Sequence, residues 1–213
     1  MTTIYSDLFQ FSTYVPPINF SFNQYLLGTQ DPILVHTGSI QQAVTLVPQL
    51  EAVLNGKTLN YIFISHFEGD ECGGLSYILK HFPVVKPICS VVTARQLSGF
   101  GLTNEVIVKK PGKKLTTDDY ELEFLSYPSE MHLWEGLLAI ENRRGIFFSS
   151  DLMVRFGEAD GIVVDSDWST EIKSIRPEQV ADPVRRALLQ DVLTRLKPSF
   201  VATGHGPCLK LSE

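Results

Sequence analysis

Tyr61-Ile62-Phe63-Ile64-Ser65, joined without a break to His66-Phe67-Glu68-Gly69-Asp70-Glu71-Cys72-Gly73-Gly74, sets a continuous apolar run directly against four ionisable side chains within six residues. The first part reads as a strand buried on both faces. Beyond it, His66, Glu68 and Asp70 stand at alternate positions, the spacing at which side chains of an extended segment share one cavity. Gly69, Gly73 and Gly74 allow a sharp backbone path and a close approach to an ion. The simpler alternative is a solvated acidic loop, but ionisable side chains seldom crowd immediately behind a buried strand.

Three further residues of the same chemistry recur in the same topological place. His132 follows an expected strand at 122–127, Asp151 follows one at 145–149, and His205 follows Phe200-Val201-Ala202-Thr203. Loops past the C-terminal ends of strands gather into sites, so two more of the five histidines and a carboxylate are expected to converge with His66 and its loop.

Around this nucleus the chain alternates helix and strand, then turns strand-rich, then alternates again. An opening hairpin is expected from 19–27 and 33–36. Ser39 and Gln42 form a capping-box pattern ahead of Ala43, Val47, Leu50 and Leu54, and Asn55-Gly56 ends that helix. Helices follow at 75–82 and 93–100, strands at 87–90, 106–108, 122–127, 137–141 and 145–149, and a long helix at 177–196 started by Pro177, with Val180, Val184, Leu188 and Leu189 expected on one face. Two sheets covered outside by helices accommodate that order, in one domain spanning 1–213.

Twenty-four acidic against 18 basic side chains, a formal charge of -6, give no drive toward nucleic acid or an anionic membrane surface. No apolar run reaches the roughly 20 residues of a spanning helix, and nothing at the start resembles a signal peptide, so a cytoplasmic location is expected. Cys72, Cys89 and Cys208 are an odd number without a CxxC pair, and read as buried thiols. Lys109-Lys110-Pro111-Gly112-Lys113-Lys114 reads as a solvated turn, with docking of an acidic partner as the alternative. Trp134, Glu135, Asp165, Asp167 and Trp168 are candidate walls of the site, the tryptophans equally candidate core or dimer contacts. His81 reads as a surface residue at a helix end.

The order H-x-E-x-D, His, Asp, His resembles the metallo-β-lactamase superfamily, and specifically the di-iron domain of flavodiiron proteins. Glu68 stands where the superfamily's hydrolases usually carry His. Eighteen residues separate His132 from Asp151, within Ile146-Phe147-Phe148-Ser149-Ser150-Asp151, as in the flavodiiron pattern. The resemblance runs from about Phe20 to Pro207 and implies an α+β fold, the metallo-β-lactamase-like αββα sandwich. It implies one iron held by His66, Glu68 and His132, another by Asp70 and His205, and Asp151 bridging. Carboxylate-rich, thiolate-free donors suit iron or manganese better than zinc, though zinc remains an alternative.

The chain departs from the pattern in three ways. Glu71 replaces a customary His and is expected to support the ligands, with direct ligation as the alternative. His36 ends its strand where a supporting Asp is usual. No flavodoxin segment, hence no FMN site, is expected within these residues. The resemblance then implies a non-haem di-iron protein, resembling stand-alone oxygen-binding di-iron proteins, that binds or reduces dioxygen or nitric oxide. Its electrons are expected from a separate flavodoxin-like or rubredoxin-like donor, and a homodimer is compatible. The competing expectation is a metal-dependent hydrolase of the same superfamily.

Overall fold

The computed structural model describes residues 1–129 and 134–212, so His132 lies outside the described residues. Among the described residues the chain builds two sheets of seven strands each. The first runs in sequence order through β1 (Thr2–Tyr5), β2 (Leu8–Val15), β3 (Phe20–Leu27), β4 (Ile33–Val35), β5 (Tyr61–Phe63), β6 (Lys86–Cys89) and β7 (Ile107–Val108). Its first four strands pair antiparallel and β4 to β7 pair parallel. The second is ordered β12-β14-β13-β11-β10-β9-β8, from β8 (Lys114–Thr116), β9 (Glu121–Ser129), β10 (Trp134–Glu141), β11 (Ile146–Ser150), β12 (Val163–Ser166), β13 (Phe200–Thr203) and β14 (Cys208–Leu211).

Helices α1 (Ile40–Leu54), α3 (Leu75–His81) and α4 (Val91–Gly99) lie with the first sheet, and α5 (Trp168–Lys173) and α6 (Pro183–Thr194) with the second. Strand alternation assigns the layers, because successive side chains point to opposite faces. In β5, Ile62 joins Leu46, Leu50 and Ile78 beneath α1 and α3, while Phe63 joins Phe124, Phe148 and Phe200 between the sheets. In β11, Phe148 faces the first sheet and Phe147 faces Ile172, Leu189 and Leu193 of the outer helices. Both faces of the central strands are therefore apolar, which is why the Tyr61 run carries no alternation. This is the expected αββα sandwich.

The capping box forms as read: the Ser39 side chain accepts from Gln42 N–H and the Gln42 side chain accepts from Ser39 N–H. Asn55, left-handed at φ 47°, closes α1. Three expectations need correction. The long helix begins at Pro183 rather than Pro177, because Asp182 accepts from the Val184 and Arg185 amides and Pro183 needs no donor at the first position. Its buried face is Leu189 and Leu193, whereas Val184 and Leu188 are exposed. The hairpin expected at the start is the inner half of a four-strand meander, since β1 and β2 add to it, and β12 and β14 extend the other sheet unanticipated. No helix among the described residues is long and apolar enough to cross a membrane.

Candidate metal centre

β4, β5, β11 and β13 end at the same edge of the sandwich, and each delivers a polar residue there: His36, His66, Asp151 and His205. The 66–71 segment leaves β5, folds into the one-turn helix α2 (Gly69–Cys72), and is tied down by Thr37 N–H donating to the Glu71 carbonyl at 2.8 Å. Gly73 and Gly74 serve this packing rather than an ion. A Cβ on Gly74 would lie 2.4 Å from Ala43 Cβ of α1, and Gly74 N–H donates to the Gly38 carbonyl at 2.8 Å.

The two sheets contribute opposite halves of one cluster. His66 Nε2 lies 3.0 Å from Glu68 Oε2, 3.2 Å from Asp151 Oδ2 and 3.8 Å from Glu71 Oε2. His205 Nε2 lies 3.1 Å from the other oxygen of Asp151, Oδ1, and 3.5 Å from Asp70 Oδ2. Asp151 thus divides its carboxylate between the two imidazoles. Candidate donor atoms of His66, Glu71 and Asp151 lie within 4.8 Å of one another, and so do those of Asp70, Glu71 and His205. Glu71 is the residue common to both groups, and its Oε2 is buried with no hydrogen-bond partner.

Each imidazole is held from behind by a different device. His66 Nδ1 lies 3.0 Å from Ser65 Oγ, and Ser65 Oγ also meets His36 Nε2 at 2.9 Å and Ser150 Oγ at 2.8 Å. His205 Nδ1 donates to the Ser21 backbone carbonyl at 3.0 Å, and its ring stacks on Phe20 with centroids 4.4 Å apart.

These contacts set the charges. Burial opposes a charge on Asp151, but hydrogen bonds from His205 and His66 hold its carboxyl well below the usual range. Burial likewise works against protonated His66, yet the Asp151 and Glu68 carboxylates raise it to about 9. His205 is raised against its own burial by Asp151, then Asp70. Glu71 is pushed well above the ordinary value, first by burial and then by Asp151, Asp70 and Glu68. Burial, and then the neighbouring His66 charge, drive His36 down to about 3 against a weaker pull from Asp151, so it stays neutral.

Four carboxylates and two histidines converging in a half-buried recess, one carboxylate oxygen unpartnered, is a donor set that fits divalent cations. Protons on the histidines and Glu71 hold the charge balance that cations would otherwise supply. Oxygen and imidazole donors without thiolate favour iron or manganese. The free cysteines are buried away from this role, with burial pushing Cys72 and Cys89 up to about 12.

Of the weaker candidates, Asp167 caps α5 by accepting from Thr170 N–H, and Trp168 donates from Nε1 to the Leu193 carbonyl while packing on Phe147. Both belong to the outer helical layer, so neither walls the site. The side chains of Trp134 and Glu135 lie outside the described residues. The lysine turn is partly neutralised, with Lys114 Nζ 2.6 Å from Glu121 and 3.6 Å from Glu123. His81, at the end of α3, rests against Tyr77.

Nothing in the sequence singles out Ser65 and Ser150, which meet behind His66. The same holds for Arg155, which pairs with buried Glu171 at 2.7 Å. A cavity of about 590 Å³ beside Asp151 is lined by Tyr127, Met153, Arg155, Phe156 and Arg176 among others.

Comparison with known proteins places the whole assembly. An anaerobic nitric oxide reductase flavorubredoxin of Pectobacterium atrosepticum is 25% identical over 196 residues, covering 87% of this chain and 38% of its own. The structure of rubredoxin oxygen:oxidoreductase from Desulfovibrio gigas superposes with a TM-score of 0.79 at 18% identity, covering 98% of this chain and 57% of that one. A flavo di-iron protein from Thermotoga maritima superposes at 0.72 and 22% identity, over 90% of this chain and 50% of that one. The chain spans only about a third to two fifths of the curated flavoproteins it matches. The model of the ODP family beta lactamase matches residues 20–206, and the chain belongs to that family.

Proposed function

We propose that this domain holds two metal ions, iron being the pair that suits its donors, and that the centre binds dioxygen or nitric oxide and can reduce it. The observation that carries the reading is Asp151, whose two oxygens face His66 and His205 separately. In this assignment His66, Glu68 and His132 hold one ion, Asp70 and His205 the other, and Asp151 spans both. Glu71, central to both donor groups, is placed to ligate as well as to support. A bound iron pair would supply electrons and open coordination positions for a diatomic ligand.

The chain's own residues do the rest. Glu68, Asp70 and Asp151 supply three negative charges to offset the ions, and the buried Glu71 side chain can hold or release a proton within 4 Å of His66 Nε2. Phe20 and Phe22 pack on the His205 ring and limit water on that side. No flavin-binding segment is read within these residues, so electrons reach the centre from a flavodoxin-like or rubredoxin-like carrier outside the domain. The names of the relatives, a nitric oxide reductase and an oxygen oxidoreductase, support this class of chemistry.

The test is metal content after anaerobic loading with ferrous iron, with the absorption spectrum before and after dioxygen or nitric oxide. About two irons per chain and a ligand-dependent spectrum are expected. A preference for stoichiometric zinc would overturn the reading. The second reading, hydrolysis by a metal-bound hydroxide, has one observation in its favour, since the 590 Å³ cavity beside Asp151 exceeds what a diatomic needs. It predicts zinc dependence and turnover of an ester, thioester or lactam.

A further inference from the structure

Five non-glycine residues among those described have positive φ: Ser6, Asn19, His36, Asn55 and Ser150. Three are exposed and lie at turns or helix ends, where such backbone is ordinary, and two of those are Asn. His36, at φ 64°, and Ser150, at φ 48° and ψ −129°, are different. Both are buried, neither is the Gly or Asn that takes up such backbone most readily, and they come from different sheets. Their side chains nevertheless end on one atom, Ser65 Oγ, at 2.9 and 2.8 Å.

Ser65 Oγ in turn lies 3.0 Å from His66 Nδ1, and Ser150 Oγ lies 3.5 Å from the same nitrogen. With Nε2 given over to a metal ion, Nδ1 would carry the ring's hydrogen and donate it to Ser65 Oγ, whose own hydrogen would then go to His36 Nε2 or Ser150 Oγ. The chain around Ser150 is also tightly enclosed. A Cβ on Gly204 would lie 2.8 Å from the Ser150 carbonyl oxygen, and Gly204 N–H donates to that oxygen at 3.0 Å. Strain of this sort persists where the surroundings enforce it and clusters at functional sites. Glycine at 150 would remove the strain and keep the path, so the hydroxyl is what serine adds.

We propose that His36, Ser65 and Ser150 form a positioning device behind His66, in which two strained backbones are maintained to fix the imidazole's hydrogen on Nδ1 and its direction toward the metal. The inference rests on the metal-centre reading above. Such supports behind a ligating histidine alter metal affinity by about 10–100-fold when removed. The device supplies none of the candidate donor atoms, so its members are positioning residues, not catalytic ones.

The test sets fold stability against metal binding in the full chain, with cobalt(II) as the probe because its visible spectrum reports ligand geometry. Ser150→Gly is expected to raise the melting temperature of the metal-free protein, by relief of strain, and to lower cobalt affinity about 10–100-fold with an altered spectrum. Ser150→Ala keeps the strain and loses the hydroxyl, so it should lose affinity similarly without the gain in melting temperature. His36→Asn, which tolerates left-handed backbone and retains a hydrogen-bonding amide, should bind more tightly than His36→Ala. Wild-type affinity and spectrum in both Ser150 variants, or affinity that rises and falls with melting temperature across the set, would overturn the proposal. Failure of the wild-type protein to take up metal would instead overturn the metal-centre reading and this device with it.

Discussion

His66 and His205 face each other across Asp151, yet they are built on opposite principles. His66 depends on side chains, since its Nδ1 rests on a hydroxyl that rests on an imidazole and a second hydroxyl. His205 depends on main chain, its Nδ1 donating to the Ser21 carbonyl that the β3 backbone holds in place. A support made of side chains is open to tuning by substitution, whereas one made of backbone is fixed by the fold. The adjustable half of the centre is therefore the His66 half.

The largest expected effect falls on what the halves share. Asp151→Asn should lower affinity for the ion pair more than about 100-fold, beyond the range for supporting residues, because it removes the charged oxygens facing both histidines. Metal analysis after anaerobic iron loading would show it, and retention of two ions per chain would mean that Asp151 does not join the halves.

Next comes Ser65→Ala, expected to cost about 10–100-fold in metal affinity by titration. Its counterpart on the other side, Ser21→Ala, leaves the accepting carbonyl in place and loses only the hydroxyl's bond to Gly157. That variant should be destabilised by about 1 kcal/mol and bind metal normally. Equal losses of affinity in the two would erase the contrast.

The pH dependence is smaller at any one pH. His66 in the metal-free protein is raised to about 9 from 6.5, so its contribution to stability is full below pH 6.5 and is lost as the pH rises through about 9. Metal binding needs the neutral ring, so uptake should release a proton and apparent affinity should climb by about tenfold per pH unit, per proton, levelling near pH 9. A pH indicator in weakly buffered solution would record the release. Phe20→Ala should have the mildest effect. It removes an aromatic contact with His205 of about 0.5–1.5 kcal/mol beyond lost burial, and should change metal affinity only a few-fold while the Ser21 carbonyl holds the ring.

The contrast between the halves also explains what can be read from the sequence. The 66–71 segment is legible because its donors are contiguous and stand directly behind an apolar run. Asp151 and His205 are legible only through their shared position after strands, which a short run such as 200–203 signals clearly. Ser150 offers no comparable signal, and His36 is marked only by standing where a supporting Asp is usual, with nothing to announce its left-handed backbone. Pro177 draws the expected start of α6 too early, although Asp182-Pro183 carries both the cap and the first-position proline. The apolar face expected there takes in Val184 and Leu188 beside Leu189, because two stripes of similar hydropathy compete on that helix and only packing decides between them. The early strands β1 and β2 escape notice in a stretch that mixes polar and aromatic residues, because Leu8–Val15 buries its first half on both faces and leaves its second half partly wet.

The divided carboxylate of Asp151 has a mechanical meaning as well. His66 belongs to the first sheet and His205 to the second, 139 positions later, so ions held between them would clasp two layers whose mutual contact is largely apolar. The sandwich would then be unable to part without first giving up its metal. Exchange of the ions should consequently be paced by how often the two layers breathe at that edge, and a chelator should remove metal at a rate that tracks partial opening of the fold.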